Sequence, residues 1–271
     1  LKKLLKLLLL MIALYVFLYA NNHWIVMTER IYESEKIPES FDGFRITQVS
    51  DLHDALFGEN QDKLIKKVKK TNPDAIFITG DLIDSNRYHL DQSLMAVREF
   101  VKIADVYYVL GNHEVAINQV SKIYEALEKL GVYILPNAAV WIERNGERIA
   151  VAGIEDPLNG VDTERMLDMA LANVPKDAFT VLLAHRPEKF DIYVKNEIDF
   201  VFTGHAHGGQ VRIPFVGGII APGQGFFPKY TAGFYEENHT TMNVSRGLGN
   251  SMAPFRIFNF PEIVVVELKT K

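Results

Sequence analysis

The chain has 271 residues, 48% of them hydrophobic and 23% charged, a composition that argues for a folded globular domain and against disorder. Its formal net charge is -5, so no basic excess exists to neutralise a run of phosphates and no nucleic-acid polymer is expected as a partner. With no cysteine, disulfides, thiolate metal sites and a cysteine nucleophile are excluded, and any metal must be held by His, Asp, Asn or Glu.

Taken in chain order, Lys2, Lys3 and Lys6 precede an unbroken apolar run, Leu7–Ala20. A spanning helix needs about 20 apolar residues, and a signal-peptide core has roughly 7–15. Counted from Leu4, with Lys6 snorkelling to the interface, residues 1–22 read as a signal anchor and residues 23–271 as the domain it carries. A cleaved signal peptide is the second reading, but a cut after Ala20 would want a small residue where Leu18 stands. The positive-inside rule keeps the lysines in the cytoplasm, which puts the protein in the cell membrane with its domain extracytoplasmic.

Beyond Asn22 the pattern is globular. His23–Ile31 is expected as a first strand and Pro38–Gly43 as a turn. Helices are expected over Asn60–Lys70, Leu90–Ile103, Ile117–Leu130 and Thr163–Ala172, with Gly131 as a C-cap. Five apolar runs end in ligand-type residues. Phe44–Ser50 leads into Asp51, and Ala75–Gly80 into Asp81. Val106–Gly111 leads into Asn112 and His113. Thr180–Ala184 leads into His185, and Asp199–Gly204 into His205. Runs of this kind alternating with helices imply an α/β fold with a largely parallel sheet, whose ligands bind beyond the carboxyl ends of its strands.

Those ends offer Asp51 and His53, Asp81, Asn112 and His113, His185, and His205 and His207. In the Asp-x-His and His-x-His pairs, alternate residues of an extended chain lie on one side and can face one region. The donors are oxygen and imidazole nitrogen, which suits manganese, iron, zinc or nickel better than magnesium or calcium. There are more donors than one ion can use, and a pair of ions sharing a carboxylate would employ them all.

The series Asp51-x-His53, Gly80-Asp81-x-x-Asp84, Gly111-Asn112-His113-Glu114, His185 and Gly204-His205-Ala206-His207 resembles the signature of the calcineurin-like metallophosphoesterases. The likeness covers Phe44 to the C-terminus. Gly204–Gln210 and His185-Arg-Pro-Glu188 look most like the membrane-attached or exported bacterial branch, which includes phosphodiesterases and UDP-diacylglucosamine hydrolases. The resemblance implies a four-layer α/β/β/α sandwich and two divalent metal ions, manganese first. Asp51, His53 and His207 would hold one ion and Asn112, His185 and His205 the other, with Asp81 between them. His113 would sit beside the phosphate as donor or acid, and a hydroxide bridging the metals would attack phosphorus. Ala206 departs from the branch, where Thr is common, without touching a ligand. A phosphodiester or pyrophosphate is expected before a monoester, among lipid-linked and cell-envelope phosphates. The rival reading is a metal-binding scaffold without turnover, against which the intact His113 and ligand set weigh.

Plainer roles compete at single positions. Asp51, Asp81 and Asn112 could be caps or turn residues, and His185 a core histidine, if each stood alone. Asp84 and Glu114 are expected to hold loops or orient histidines, Asp54 and Asp156 to be solvated, and Lys63, Lys66, Lys67, Lys69 and Lys70 to form a solvated helix face. His23, His89 and His239 receive no role. The apolar, Gly- and Pro-rich stretch Ile213–Tyr230 has two readings. Phe215, Ile219, Phe226 and Phe227 either border the site and meet an acyl chain or bilayer, or are buried in the core, and the core reading is the first expectation.

Overall fold

A computed structural model of the chain describes residues 1–251 and 253–271. Helix α1 (Lys2–His23) leaves its apolar side chains largely exposed. Then come β1 (Val26–Ser34), β2 (Arg45–Val49), α2 (Asp62–Lys70), β3 (Ala75–Thr79), α3 (Leu90–Phe100), β4 (Asp105–Val109), α4 (Asn112–Ala116), α5 (Val120–Glu128) and β5 (Tyr133–Ile134). The second half holds β6 (Ala138–Arg144), β7 (Glu147–Gly153), α6 (Thr163–Leu171), β8 (Thr180–Leu183), α7 (Phe190–Lys195) and β9 (Phe200–Thr203). Four short strands follow, β10 (Arg212–Ile213), β11 (Gly217–Gly218), β12 (Ile220–Ala221) and β13 (Gly225–Phe226). The chain closes with β14 (Gly233–Glu237), β15 (Thr240–Val244) and β16 (Glu262–Thr270).

The long strands form two six-stranded sheets, ordered β1-β16-β2-β3-β4-β5 and β14-β15-β9-β8-β7-β6. Their centres, β2-β3-β4 and β7-β8-β9, are parallel, while β16 against β2, β6 against β7 and β14 against β15 are antiparallel. The central strands read as unbroken apolar runs because both faces of each sheet are buried. Alternation then decides the partner. In β3, Ala75 and Phe77 point between the sheets, and Ile76 and Ile78 point toward the helices. In β9, Phe200 and Phe202 face between the sheets while Val201 faces outward. Phe77 meets Phe202 edge-on at 5.3 Å across that interface.

Helices α2, α3 and α5 cover the outer face of the first sheet, with Leu64, Val68, Val97, Phe100, Ile123 and Leu127 inserted. Helices α6 and α7 cover the second, through Met166, Leu167, Phe190 and Tyr193. The result is a four-layer α/β/β/α sandwich. Buried Gln48 ties the sheets at the ligand-bearing end, donating to Thr79 Oγ1 (2.8 Å) and to the Thr203 carbonyl (2.9 Å).

The expected helices recur with trimmed ends. Asn60 lies in a left-handed turn before α2, and the Ile117–Leu130 stretch becomes α5 after the separate short α4. Gly131 follows α5 at φ +86, the left-handed position only glycine takes cheaply. His23 belongs to α1, so β1 starts at Val26 and reaches Ser34. The β6–β7 hairpin had a readable signal in Asn145-Gly146, both left-handed as a two-residue hairpin turn requires.

Candidate metal centre

Five strands, β2, β3 and β4 from one sheet and β8 and β9 from the other, end at the same edge of the sandwich. Asp51, His53, Asp81, His205 and His207 sit just past them, all buried and all with positive φ between 47° and 63°. The side chains of Asp51 and His53 therefore converge through a tight left-handed turn, and not along one side of an extended chain as the alternation argument supposed. Such backbone strain in several adjacent non-glycine residues is characteristic of functional sites. Gly80 is obligatory beside them: at φ +87, an added Cβ would lie 2.7 Å from His185 Nδ1 and from the Gly111 nitrogen.

The side chains fall into two sets that share Asp81. Asp51, His53, Asp81 and His207 offer ligand atoms within 4.8 Å of one another, and so do Asp81, His185 and His205. His53 Nε2 lies 3.2 Å from His207 Nε2 and 3.6 Å from Asp81 Oδ2. His185 Nε2 lies 3.1 Å from both Asp81 Oδ2 and His205 Nδ1. Asn112 belongs to the same corner. Its Oδ1 is buried without a hydrogen-bond partner, and the next amide, His113 N–H, donates to Asp81 Oδ1 at 2.8 Å.

The donor set fits divalent ions. Burial pushes His53 down to about 3 and holds His205 and His207 well below the usual imidazole value, so all three present neutral rings with free lone pairs. Burial opposes the charge on His185 too, but the Asp81 carboxylate overrides it and lifts His185 to about 10 in the metal-free protein. An orphaned amide oxygen, close imidazole nitrogens and a carboxylate common to both sets are costly in a buried site unless cations join them.

The surrounding bonds hold the donors in place. His185 Nδ1–H donates to the Thr79 carbonyl (2.8 Å), which aims Nε2 at Asp81. Ser50 Oγ and the His205 amide donate to Asp51 (2.6 and 2.9 Å). Glu114 accepts four backbone N–H bonds, from Leu82 and Ile83 on Oε1 and from Asp81 and Gly111 on Oε2. It is a loop clamp, as expected. His113 lies beside His53, ring centroids 4.5 Å apart. Its Nδ1 accepts from the Ser85 amide (2.9 Å), so the neutral ring carries its proton on Nε2, 3.1 Å from Ser251 Oγ.

Two expectations of solvated residues are corrected. Asp54 is buried, accepting from the amides of Asp84 and His89 and from Ser93 Oγ. Asp156 is fully buried in a two-point pair with Arg186, whose Nη1 stands 3.5 Å from His205 Nε2. The reading of Ile213–Tyr230 as core is also wrong for its phenylalanines, although Tyr230 is buried. Phe215, Phe226 and Phe227 are exposed, because the glycine-rich β10–β11 and β12–β13 hairpins stand off the sandwich. Arg256, Ser85, Arg87 and Ser251 had no motif to mark them. Arg256 is wholly buried, donating to the carbonyls of Arg246 and Gly249 beside His207.

A paired-sheet sandwich that gathers carboxylates and imidazoles into two adjoining sets sharing one aspartate defines a dinuclear-metal hydrolase. Residues 44–209 match the calcineurin-like phosphoesterase family, and the chain belongs to it as a metal-dependent hydrolase of phosphoric esters. Over 262 residues it is 31% identical to the uncharacterized metallophosphoesterase YkuE of Bacillus subtilis, covering 93% of this chain and 88% of that one. It is 30% identical to a transmembrane protein with metallophosphoesterase domain from Danio rerio, covering 87% of this chain and 55% of the relative. The solved phosphopantetheinyl hydrolase PptH of Mycobacterium tuberculosis shares the fold at a TM-score of 0.50 and 11% identity, over 77% of this chain and 91% of that one.

Proposed function

We propose that the protein is an anchored phosphodiesterase or pyrophosphate-cleaving hydrolase of the cell envelope, with its catalytic domain outside the cytoplasm. The observation that carries the reading is the pair of ligand sets sharing Asp81. Asp51, His53 and His207 would hold one divalent ion and Asn112, His185 and His205 the other, with manganese the first choice. Paired cations supply Lewis acidity toward phosphoryl oxygens and make water nucleophilic near neutral pH. The remaining work falls to side chains. His113, with its ring beside His53 and Nδ1 held by the Ser85 amide, exchanges the Nε2 contact with Ser251 Oγ for a bond to a phosphoryl oxygen or to the departing alkoxide. Arg87, paired with Asp84 and bonded to the Asn250 carbonyl, adds a fixed positive charge at the rim. Support for the membrane setting comes from α1, the one helix among the described residues long and apolar enough to span a bilayer, and from Lys2, Lys3 and Lys6 at its N-terminal end.

The test is hydrolysis of an aryl phosphodiester against the matching monoester with added manganese. The diester should turn over faster, and His113→Ala should lower kcat by about 10²–10⁴-fold while bound metal is retained. A faster monoester would make the protein a phosphomonoesterase, and a His113→Ala rate equal to wild type would remove the assigned role. A reporter enzyme fused after Lys271 should be active only in its extracytoplasmic form; activity of a cytoplasmic reporter would reverse the orientation.

A further inference from the structure

A cleft of about 770 Å³ reaches the metal centre at His53, and part of its wall is the anchor helix itself. Tyr15, Leu18 and Tyr19 of α1 line it together with His53, Leu56 and Phe255. Polar bonds fix the helix end there. Asn22 Oδ1 accepts from Asn250 Nδ2 (2.7 Å) and the Arg256 amide (3.1 Å), and buried Asn21 accepts from the Asn259 amide (3.1 Å).

This docking has a consequence for depth. The apolar run Leu7–Ala20 has 14 residues. At 1.5 Å per residue it reaches about 21 Å, against a hydrocarbon core about 30 Å thick. The 22-residue α1 spans only by placing the whole of so short an apolar run in lipid, so the turn Tyr15–Tyr19 cannot stand clear of it. Whatever packs on that turn lies in the bilayer surface with it. Phe258 does so, edge-on to Phe17 at 5.1 Å, and it shares a hollow with Phe215 and Val216 of the β10–β11 hairpin.

That hairpin tip is built at a cost. Phe215 is fully exposed (109%) at φ +68, a position that suits Gly or Asn, and Phe258 is exposed at φ +52. Exposed aromatics beside a spanning helix form an interfacial seat. On another side of α1, Lys63, Lys66, Lys67 and Lys70 border a groove with Val16, Tyr19 and Trp24, placing ammonium groups level with anionic headgroups.

We propose that the domain is seated in the lipid surface by this rim, and that the metal cleft takes a phosphoester borne by a membrane amphiphile. The phosphate lies at the ligand sets and the apolar chain against Leu18, Leu56 and Phe255. The substrate half of this inference rests on the phosphoesterase reading; the seat rests on α1 spanning the bilayer.

The full chain is reconstituted in phosphatidylcholine vesicles containing phosphatidylglycerol, with Trp24→Phe as background. Phe215→Trp should give emission strongly quenched by lipids brominated on their acyl chains, whereas native Trp141, on edge strand β6, should be unaffected. Equal quenching at the two positions overturns the seat. In parallel, a water-soluble aryl phosphodiester is compared with a long-chain alkyl aryl phosphodiester held in the vesicles. Phe215→Asp should lower turnover of the vesicle-borne ester about tenfold or more and leave the soluble one unchanged. Equal effects on both overturn the substrate assignment. A wild-type protein that hydrolyses neither, with quenching intact, upholds the seat and refutes the phosphoesterase reading.

Discussion

Replacing Glu114 by Gln should unfasten the metal centre without touching a proposed ligand. Burial and the Asp81 charge push the Glu114 carboxyl up to about 7, so the test is run at pH 8, where the group is ionised. Each carboxylate oxygen accepts two backbone N–H bonds. Glutamine keeps one oxygen and sets an NH₂ against the other two donors. Two buried N–H groups left unsatisfied cost about 1–3 kcal/mol each, or about 2–6 kcal/mol together. For a chain of this size that lowers Tm by roughly 5–20 °C. Circular dichroism with excess chelator measures the effect on the metal-free fold, and a manganese titration then measures the weakened affinity, since the clamped amides belong to Asp81, its neighbours and Gly111. A Tm within about 2 °C of wild type would refute the clamp.

Two further predictions concern the frame. Burial raises the Glu262 carboxyl, but its bonds to Arg246 and Thr28 outweigh this and hold it below its ordinary value of 4.5. A depressed folded pKa gives stability that is present above the unfolded value and lost as pH falls through the folded one. Wild type should therefore exceed Glu262→Gln in Tm at neutral pH, with the gap closing below about pH 4.5; a gap that is constant with pH would contradict the pairing. Asn21→Ala should destabilise the protein by about 1–3 kcal/mol by stripping the Asn259 amide of its acceptor, read by denaturant unfolding in detergent. An unchanged midpoint would mean that the helix end is not docked.

The strand ends were legible because each central strand is buried on both faces and stops at a ligand-bearing turn. The sequence pattern thus carried both the layer and the edge where Asp51, Asp81, His185 and His205 meet. What it hid were partnerships across long separations. Asp54 looked solvated because Ser93 and His89 are far along the chain, and Asp156 because Arg186 is. Arg256 carried no local mark, since burial of a lone arginine depends on carbonyls that only the folded loop supplies. The exposed phenylalanines were misjudged because composition suggested a core, while the Gly-rich hairpins hold Phe215, Phe226 and Phe227 away from one.

The sharing of Asp81 is tested most directly by electron paramagnetic resonance of the manganese-loaded protein. Two ions per chain with an exchange-coupled signal, lost in Asp81→Asn, are predicted. A single ion per chain, or two that remain magnetically independent in the wild type, would contradict a common carboxylate.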